Sequence, residues 1–448
     1  MAKKKGVPAS PFVPEEEQPY PIPENWCWTD IESINQYSGL SVDPIKQPDA
    51  IFELYSVPSS VDDYPEIIAG SEIGSSKQSV IKNDVLLCKI NPRINRVWKV
   101  SQHTDNALLA SSEWIIIRNS IINPDYLMFC FRSQYFREFM LSNVSGVGGS
   151  LMRAQPKFVK KYPVPIAPIA EQHRIVAHIE SLFFKLDEAK EKAQAVMDGF
   201  ELRKSAILHK AFTGELTERW RKEHGVGLDS WEETKLIDVS FLQTGLMKGK
   251  RFSGKTILMP YLRVANVQDG YIDLDEIKTI EVDESNVDRY MLQQGDVLFT
   301  EGGDFDKLGR GAVWECQIPN CLHQNHVFAV RPHKEKLNPY FLSFQAGSQY
   351  GKKYFLSCSK QTTNLASINS TQLKNFPVKI PLIEEQLKII EVVTDLVAKQ
   401  QQAKETAEAV LTQIDTMKKA ILARAFRGEL GTNDPAEESA AEMLRSVL

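Results

Sequence analysis

The sequence predicts an α/β protein: two mixed α/β domains separated by two long antiparallel helices forming a coiled coil, with a pseudo-twofold internal repeat. Three observations predict it. Part of the chain matches itself at a constant offset of 214 residues. Each copy carries a long heptad run. The segment before each run alternates short β-rich stretches with Gly, Asn and Asp turns.

The repeat is densest around the helices. Tyr162-Pro163-Val164-Pro165-Ile166 returns as Phe376-Pro377-Val378-Lys379-Ile380, and Glu171-Gln172 as Glu385-Gln386. Ala211 to Leu216 returns as Ala425 to Leu430, and about two dozen of the 55 positions in between are identical without a gap. In the first copy apolar or small residues fall at Ile175, Ile179, Leu182, Leu186, Ala189, Ala193, Val196 and Phe200. In the second the seam is Ile389, Val393, Leu396, Gln400, Ala403, Ala407, Val410, Ile414, Met417 and Ile421. The steps alternate four and three, and only Gly199 interrupts. Gly214 and Gly428 stand where a helix would stop. Each helix is then ~40 residues, or ~60 Å.

A weaker repeat precedes each helix. Asn25-Trp26 pairs with Ser230-Trp231, Lys82 to Leu86 with Gln294 to Leu298, Trp114 to Arg118 with Val327 to Arg331, and Asn123 to Leu127 with Asn338 to Leu342. A helix is expected after each Asn-Pro. The division this gives is a tail 1–20, a domain 21–169, a helix 170–216, a domain with its linker 217–383, a helix 384–430 and an acidic tail 431–448.

Composition suits a soluble globular protein, 42% hydrophobic and 25% charged. No apolar run reaches the ~20 residues of a membrane span, and no signal peptide follows Met1-Ala2-Lys3-Lys4-Lys5. The six cysteines show no disulfide spacing, so a cytoplasmic address and no membrane partner are expected. Net charge is −5, but the charges segregate. Phe139 to Ala170 is basic overall, with Arg153, Lys157, Lys160 and Lys161. Val239 to Gln268 and Lys336 to Ile383 contain no acid between them and hold Lys248, Lys250, Arg251, Lys255, Arg263, Lys352, Lys353, Lys360, Lys374 and Lys379. Such blocks make positive faces suited to phosphates.

Domain, helix, domain, helix, with Pro-rich entries and Ala-Phe-x-Gly-Glu-Leu ends, resembles the specificity subunits of type I restriction–modification enzymes along nearly the whole chain. Tyr261 to Gln268 followed by Gly295-Asp296-Val297-Leu298 is especially similar. The resemblance implies two target-recognition domains, each reading one half of a split, asymmetric double-stranded DNA site. It implies helices that space them and dock two methyltransferase subunits for adenine-N6 methylation, with ATP-dependent restriction subunits joining for cleavage. It also implies no cofactor in this chain, and the residues themselves offer no metal site or catalytic set.

Such a reader needs cations for phosphates and polar side chains at base edges. The candidates in the first domain are Lys89, Asn91, Arg93, Asn95, Arg96, Lys99 and Arg153. In the second they are Lys248, Lys250, Arg251, Arg263, Asn266, Gln268, Asn325 (with Gln324 and His326 beside it) and Lys360. Candidate docking residues are Phe212, Gly214, Glu215, Leu216, Phe426, Gly428, Glu429 and Leu430.

Two motifs suggest other chemistry. Gly249 to Thr256 matches the phosphate-loop pattern, which would make a nucleotide-binding enzyme, but Pro260 and a strand pattern follow where a helix is needed. Cys316, Cys321, His323 and His326 have the residue types for zinc but flank a strand whose alternation would divide them between faces. The other rival is a coiled-coil scaffold for protein partners, which would have little use for acid-free basic blocks.

Overall fold

The computed structural model describes residues 10–142, 144–145, 152–247, 254–303, 308–361 and 366–446. The chain divides into two compact units, Met1–Ala193 with Ala409–Leu448, and Gln194–Glu408. Each takes part of both long helices.

In the first unit, a five-stranded sheet has the order Ser41–Val42, Lys77–Ser79, Ala107–Ala110, Ile51–Tyr55, Glu66–Ala69. A second sheet places Val85–Cys88 between Val97–Lys99 and Trp114–Ile117, all antiparallel. Strand Cys27–Asp30 pairs with Pro163–Ile166, the stretch that enters the first long helix, Ile169–Asp198. Both faces of Val85–Cys88 are buried, hence its unbroken apolar run. The core gathers Trp26, Tyr126, Phe131, Phe136, Tyr162, Ile175 and Phe426. The tail does not trail away: Ala440 and Leu444 are fully buried in that core.

In the second unit, a four-stranded antiparallel sheet runs Ser240–Thr244, Val327–Pro332, Val297–Thr300, Gly311–Val313. A smaller one is built on Thr256–Leu262. Strand Glu232–Lys235 pairs with Pro377–Ile380, which enters the second long helix, Ile383–Ala425, of 43 residues.

The weakly repeated sequence pairs mark matching bonds. Asp84 accepts the Nε–H and Nη2–H of Arg118, at 2.8 and 2.7 Å, and Asp296 those of Arg331, at 2.7 and 2.8 Å. The residue before each aspartate, Asn83 or Gly295, has positive φ, so one tight turn delivers both carboxylates. Asn123 and Asn338 cap the helices Pro124–Arg132 and Pro339–Gly347, each starting on proline. The N–H of each capping residue donates to a buried glutamine of a long helix, Gln172 or Gln386, at 2.8 Å. Beside those glutamines, fully buried Glu171 accepts the Trp26 indole N–H at 2.7 Å and Glu385 that of Trp231 at 3.0 Å.

The first helical run stops at Asp198 and resumes over Phe200–Phe212. The guanidinium of Arg203 fills the space where a Gly199 side chain would start and donates to the Val196 carbonyl. Within the first unit, Asp187 meets Lys418, while Ile175 and Ile179 share a core with Leu422 and Ala425. Within the second, Arg203 bonds Gln400, while Phe212 shares a cluster with Ile389 and Val393. Numbers rise along one strand of helix as they fall along the other, so these segments run antiparallel in each unit. The expected seam needs two corrections. Ala403 and Met417 lie exposed, and Lys404 and Lys418 take the half-buried places. Phe200 and Phe183 present their rings there, and the lysine ammonium groups sit 5.0 and 4.9 Å above them.

Candidate nucleic-acid interface

In the first unit the chain from Lys89 to Arg96 forms a tight turn. Asn91 and Asn95, with φ of 48° and 51°, bracket the single helical turn Pro92–Ile94 and leave Arg93 exposed at its tip. The Arg153–Ala154 strand lies alongside: Lys89 and Ala154 share a 2.9 Å backbone bond, and Asn91 donates to the Met152 carbonyl. Two members of the strip are already paired. Lys99 holds Asp125 at 2.5 Å, and Arg153 makes a forked contact to Glu113 at 3.2–3.3 Å. Asn95 spends an amide hydrogen on the Phe131 carbonyl.

The second-unit candidates divide further. Lys248, Lys250 and Arg251 lie outside the described residues. Asn266 is 3% exposed; its carbonyl oxygen takes the Arg263 N–H and its amide donates to the Asp273 and Glu276 carbonyls. It is a structural cap, a correction to its assignment as a base reader. Arg263 is drawn onto Glu276 at 3.0 Å. Gln268, with Thr300, Gly302, Gly303 and Arg310, lines a 310 Å³ depression. The strand Ala366–Ser367 joins Gly302–Gly303 to Lys360–Gln361, so exposed Lys360 borders the same region. Asn325 approaches His326, which bonds Glu301.

The docking candidates also need correction. Phe212 stacks edge-on against Phe341 at 5.3 Å and Phe426 against Tyr126 at 5.2 Å, both inside cores. Leu216 and Leu430 pack on those cores. Gly214 and Gly428 end helices at φ of 81° and 73°. Only Glu215 and Glu429 of that set face outward. Sequence reading missed Arg132, Arg137 and Lys419, which with Arg96 line a 360 Å³ cleft in the first unit.

A family model described as the type I restriction modification DNA specificity domain matches residues 229–413. The type I restriction enzyme EcoKI specificity subunit of Escherichia coli (strain K12) is 27% identical over 344 residues, 73% of each chain. The StySPI specificity subunit of Salmonella potsdam is 25% identical over 339 residues, 73% of this chain and 71% of that one. Together these matches support a type I specificity subunit. Such subunits recognise DNA and are not the catalysts of their systems. The fold agrees: an HsdS subunit from Thermoanaerobacter tengcongensis superposes with a TM-score of 0.62 at 20% identity, covering 92% of this chain and 100% of that one. A chain from a structure concerned with complex assembly and conformational transition of the type I R-M system gives 0.68 at 21% identity, with the same coverage.

The phosphate-loop match leads nowhere helical. Gly249 to Ser253 lie outside the described residues, but Thr256 opens a seven-residue strand, and exposed Lys255 sits 3.3 Å from Glu284. A helix start with free N–H groups is therefore missing where that motif needs it. Among the described residues no helix is long and apolar enough to cross a membrane.

Of the zinc-like set, His323 is fully buried while His326 is exposed. Burial pushes the His323 imidazole down to about 4; its Nδ1 lies 3.2 Å from the Tyr290 carbonyl and its Nε2 has no partner. The unfolded value is ~6.5. The unfolded chain therefore binds the extra proton between those values. The stability contribution is complete above ~6.5 and falls as pH drops toward 4, by ~3 kcal/mol over the whole span. Urea unfolding of the full chain at pH 7 and 5 should show a larger loss for the native protein than for His323→Leu. Equal losses would show that His323 does not carry the acid sensitivity.

Proposed function

We propose that this chain reads a bipartite, asymmetric DNA site, one half with each α/β domain, 21–169 and 217–383. The two long helices form an antiparallel coiled coil that relates the domains by a pseudo-twofold axis and sets the distance between half-sites. Their outward surfaces dock two methyltransferase subunits, which the chain positions for adenine-N6 methylation, and restriction subunits complete the complex for cleavage. The supporting observation is that one set of framework bonds recurs while the sheets beside it differ. The pairs Asp84–Arg118 and Asp296–Arg331, and the Trp–Glu and Asn–Gln bonds, are held in common. The five-stranded sheet of residues 41–110 and the sheet on Thr256–Leu262 are built differently. Like frames with unlike surfaces suit two readers of different sequence.

Exchanging Tyr20–Ala170 for the matching segment of a related subunit tests this. Methylome sequencing of cells holding the exchanged chain and its methyltransferase partner should show one half of the recognised sequence changed and the other intact. A change in both halves would mean that the domains are not independent readers.

A further inference from the structure

The first unit gathers four cations around a cleft, where carboxylates act on one of them only, Asp63 and Asp125 on Arg132 from outside the wall. Arg96, Arg132, Arg137 and Lys419 line its 360 Å³ cleft, and no acid lies in the wall. Among the described residues none of the four is in an ion pair, whereas Lys99, Arg118, Arg153 and Arg174 of the same unit each hold an acid. Arg132 spends one N–H on the Val97 carbonyl at 3.0 Å, and the Nε of Arg137 is buried with no partner. Like charges collected around one concavity focus positive potential into it, and an anion there would offset their repulsion. The arginine fork suits phosphate oxygens in particular.

The second unit places a related cleft at the corresponding position. Arg310 precedes strand Gly311–Val313 as Arg96 precedes Val97–Lys99, each following a residue of positive φ, Gly309 or Asn95. Lys352 occupies the second helix of its pair, as Arg137 does. Both line a 1250 Å³ cleft closed on the helical side by Lys204 and Lys404. Here the charge is partly answered, because Lys204 bonds Asp269 at 2.7 Å.

We propose that the Arg96–Arg132–Arg137–Lys419 cleft is a seat for a backbone phosphate of duplex DNA. The proposal rests on reading the chain as a DNA binder. Three of the cations belong to the recognition domain and Lys419 to the second long helix, so one phosphate there ties domain to helix. That contact fixes register on the duplex and carries no base information.

The test is fluorescence anisotropy of the full chain on a random-sequence duplex across 50–200 mM salt. Arg137→Gln and Lys419→Gln should each flatten the slope of log K against log salt, and the double variant, which empties the same single seat, should flatten it by about 1 in all. Lys399→Gln, already paired with Asp395 on the helix surface, should leave it unchanged. Lys419 is exposed, so its variant tests the seat even where Arg137→Gln disturbs folding. Native slopes in both variants, with the parent chain binding DNA, would overturn the seat and leave the DNA reading standing. No salt-dependent binding by the parent would overturn both. Unchanged slopes with lost co-purification of the methyltransferase subunit would overturn the seat in favour of an acidic protein surface.

Discussion

Arg221→Met should cost the second unit about 3–5 kcal/mol, the loss expected when one partner of a buried ion pair is removed. Arg221 and Glu385 have side chains 7% and 0% exposed and meet at 2.7 Å. Arg221 also donates to the Thr217 hydroxyl at 2.9 Å and the Gly214 carbonyl at 2.7 Å, closing the end of the broken helix. Without the guanidinium, Glu385 keeps only the Trp231 and Thr217 donors for a full buried charge. Adding Glu385→Gln to Arg221→Met should recover part of the loss, since it removes that charge. Urea unfolding measures both. A loss below ~1 kcal/mol, typical of a surface pair, would show that the pair does not hold this end together.

One heptad inserted into both helices should abolish methylation of the parental DNA site. In the first unit the insertions fall between Ala189 and Ala193 and, facing them, between Ile414 and Lys418. Each adds ~10.5 Å at 1.5 Å per residue, the length of about three base pairs. Three base pairs also turn the far half-site by ~100°, at ~10–10.5 per turn. Lengthening the DNA spacer by three therefore corrects distance and spoils orientation, and it should not restore full activity. Non-specific binding through the basic surfaces should persist. Unchanged methylation of the parental site by the variant, with its partner subunits, would show that these helices are not the ruler.

The framework was legible because it is written twice. The side chains that hold the frame, Asp84 with Asp296 and Gln172 with Gln386, make the same bond in their own units. Pairings that cross the chain were not legible. Nothing local to Lys99 announces Asp125, and nothing local to Arg263 announces Glu276, so an acid-free stretch of sequence looked more basic than the folded surface is. Asn266 has a base reader's amide, but its cap geometry consumes it. Phe212 and Phe426 recur for the same reason as the framework: each fills a core, and repetition alone does not distinguish a packing residue from a docking one. Lys419 was invisible as a site residue because its cleft partners lie nearly three hundred residues earlier in the chain.

The unit boundaries also order events during synthesis. The second unit is one continuous stretch, 194–408, and can close as soon as it has emerged. The first unit waits for residues 409–446. Its core lacks Phe426, Ala440 and Leu444 until then, and Glu171 lacks the donors of Thr432 and Asn433. At ~5–20 residues per second, the part made first stays open for on the order of 10–50 s after Ala193 is added. A stop codon or a proteolytic cut in the last forty residues should therefore strike the first unit, made at the opposite end of the sequence, and spare the second.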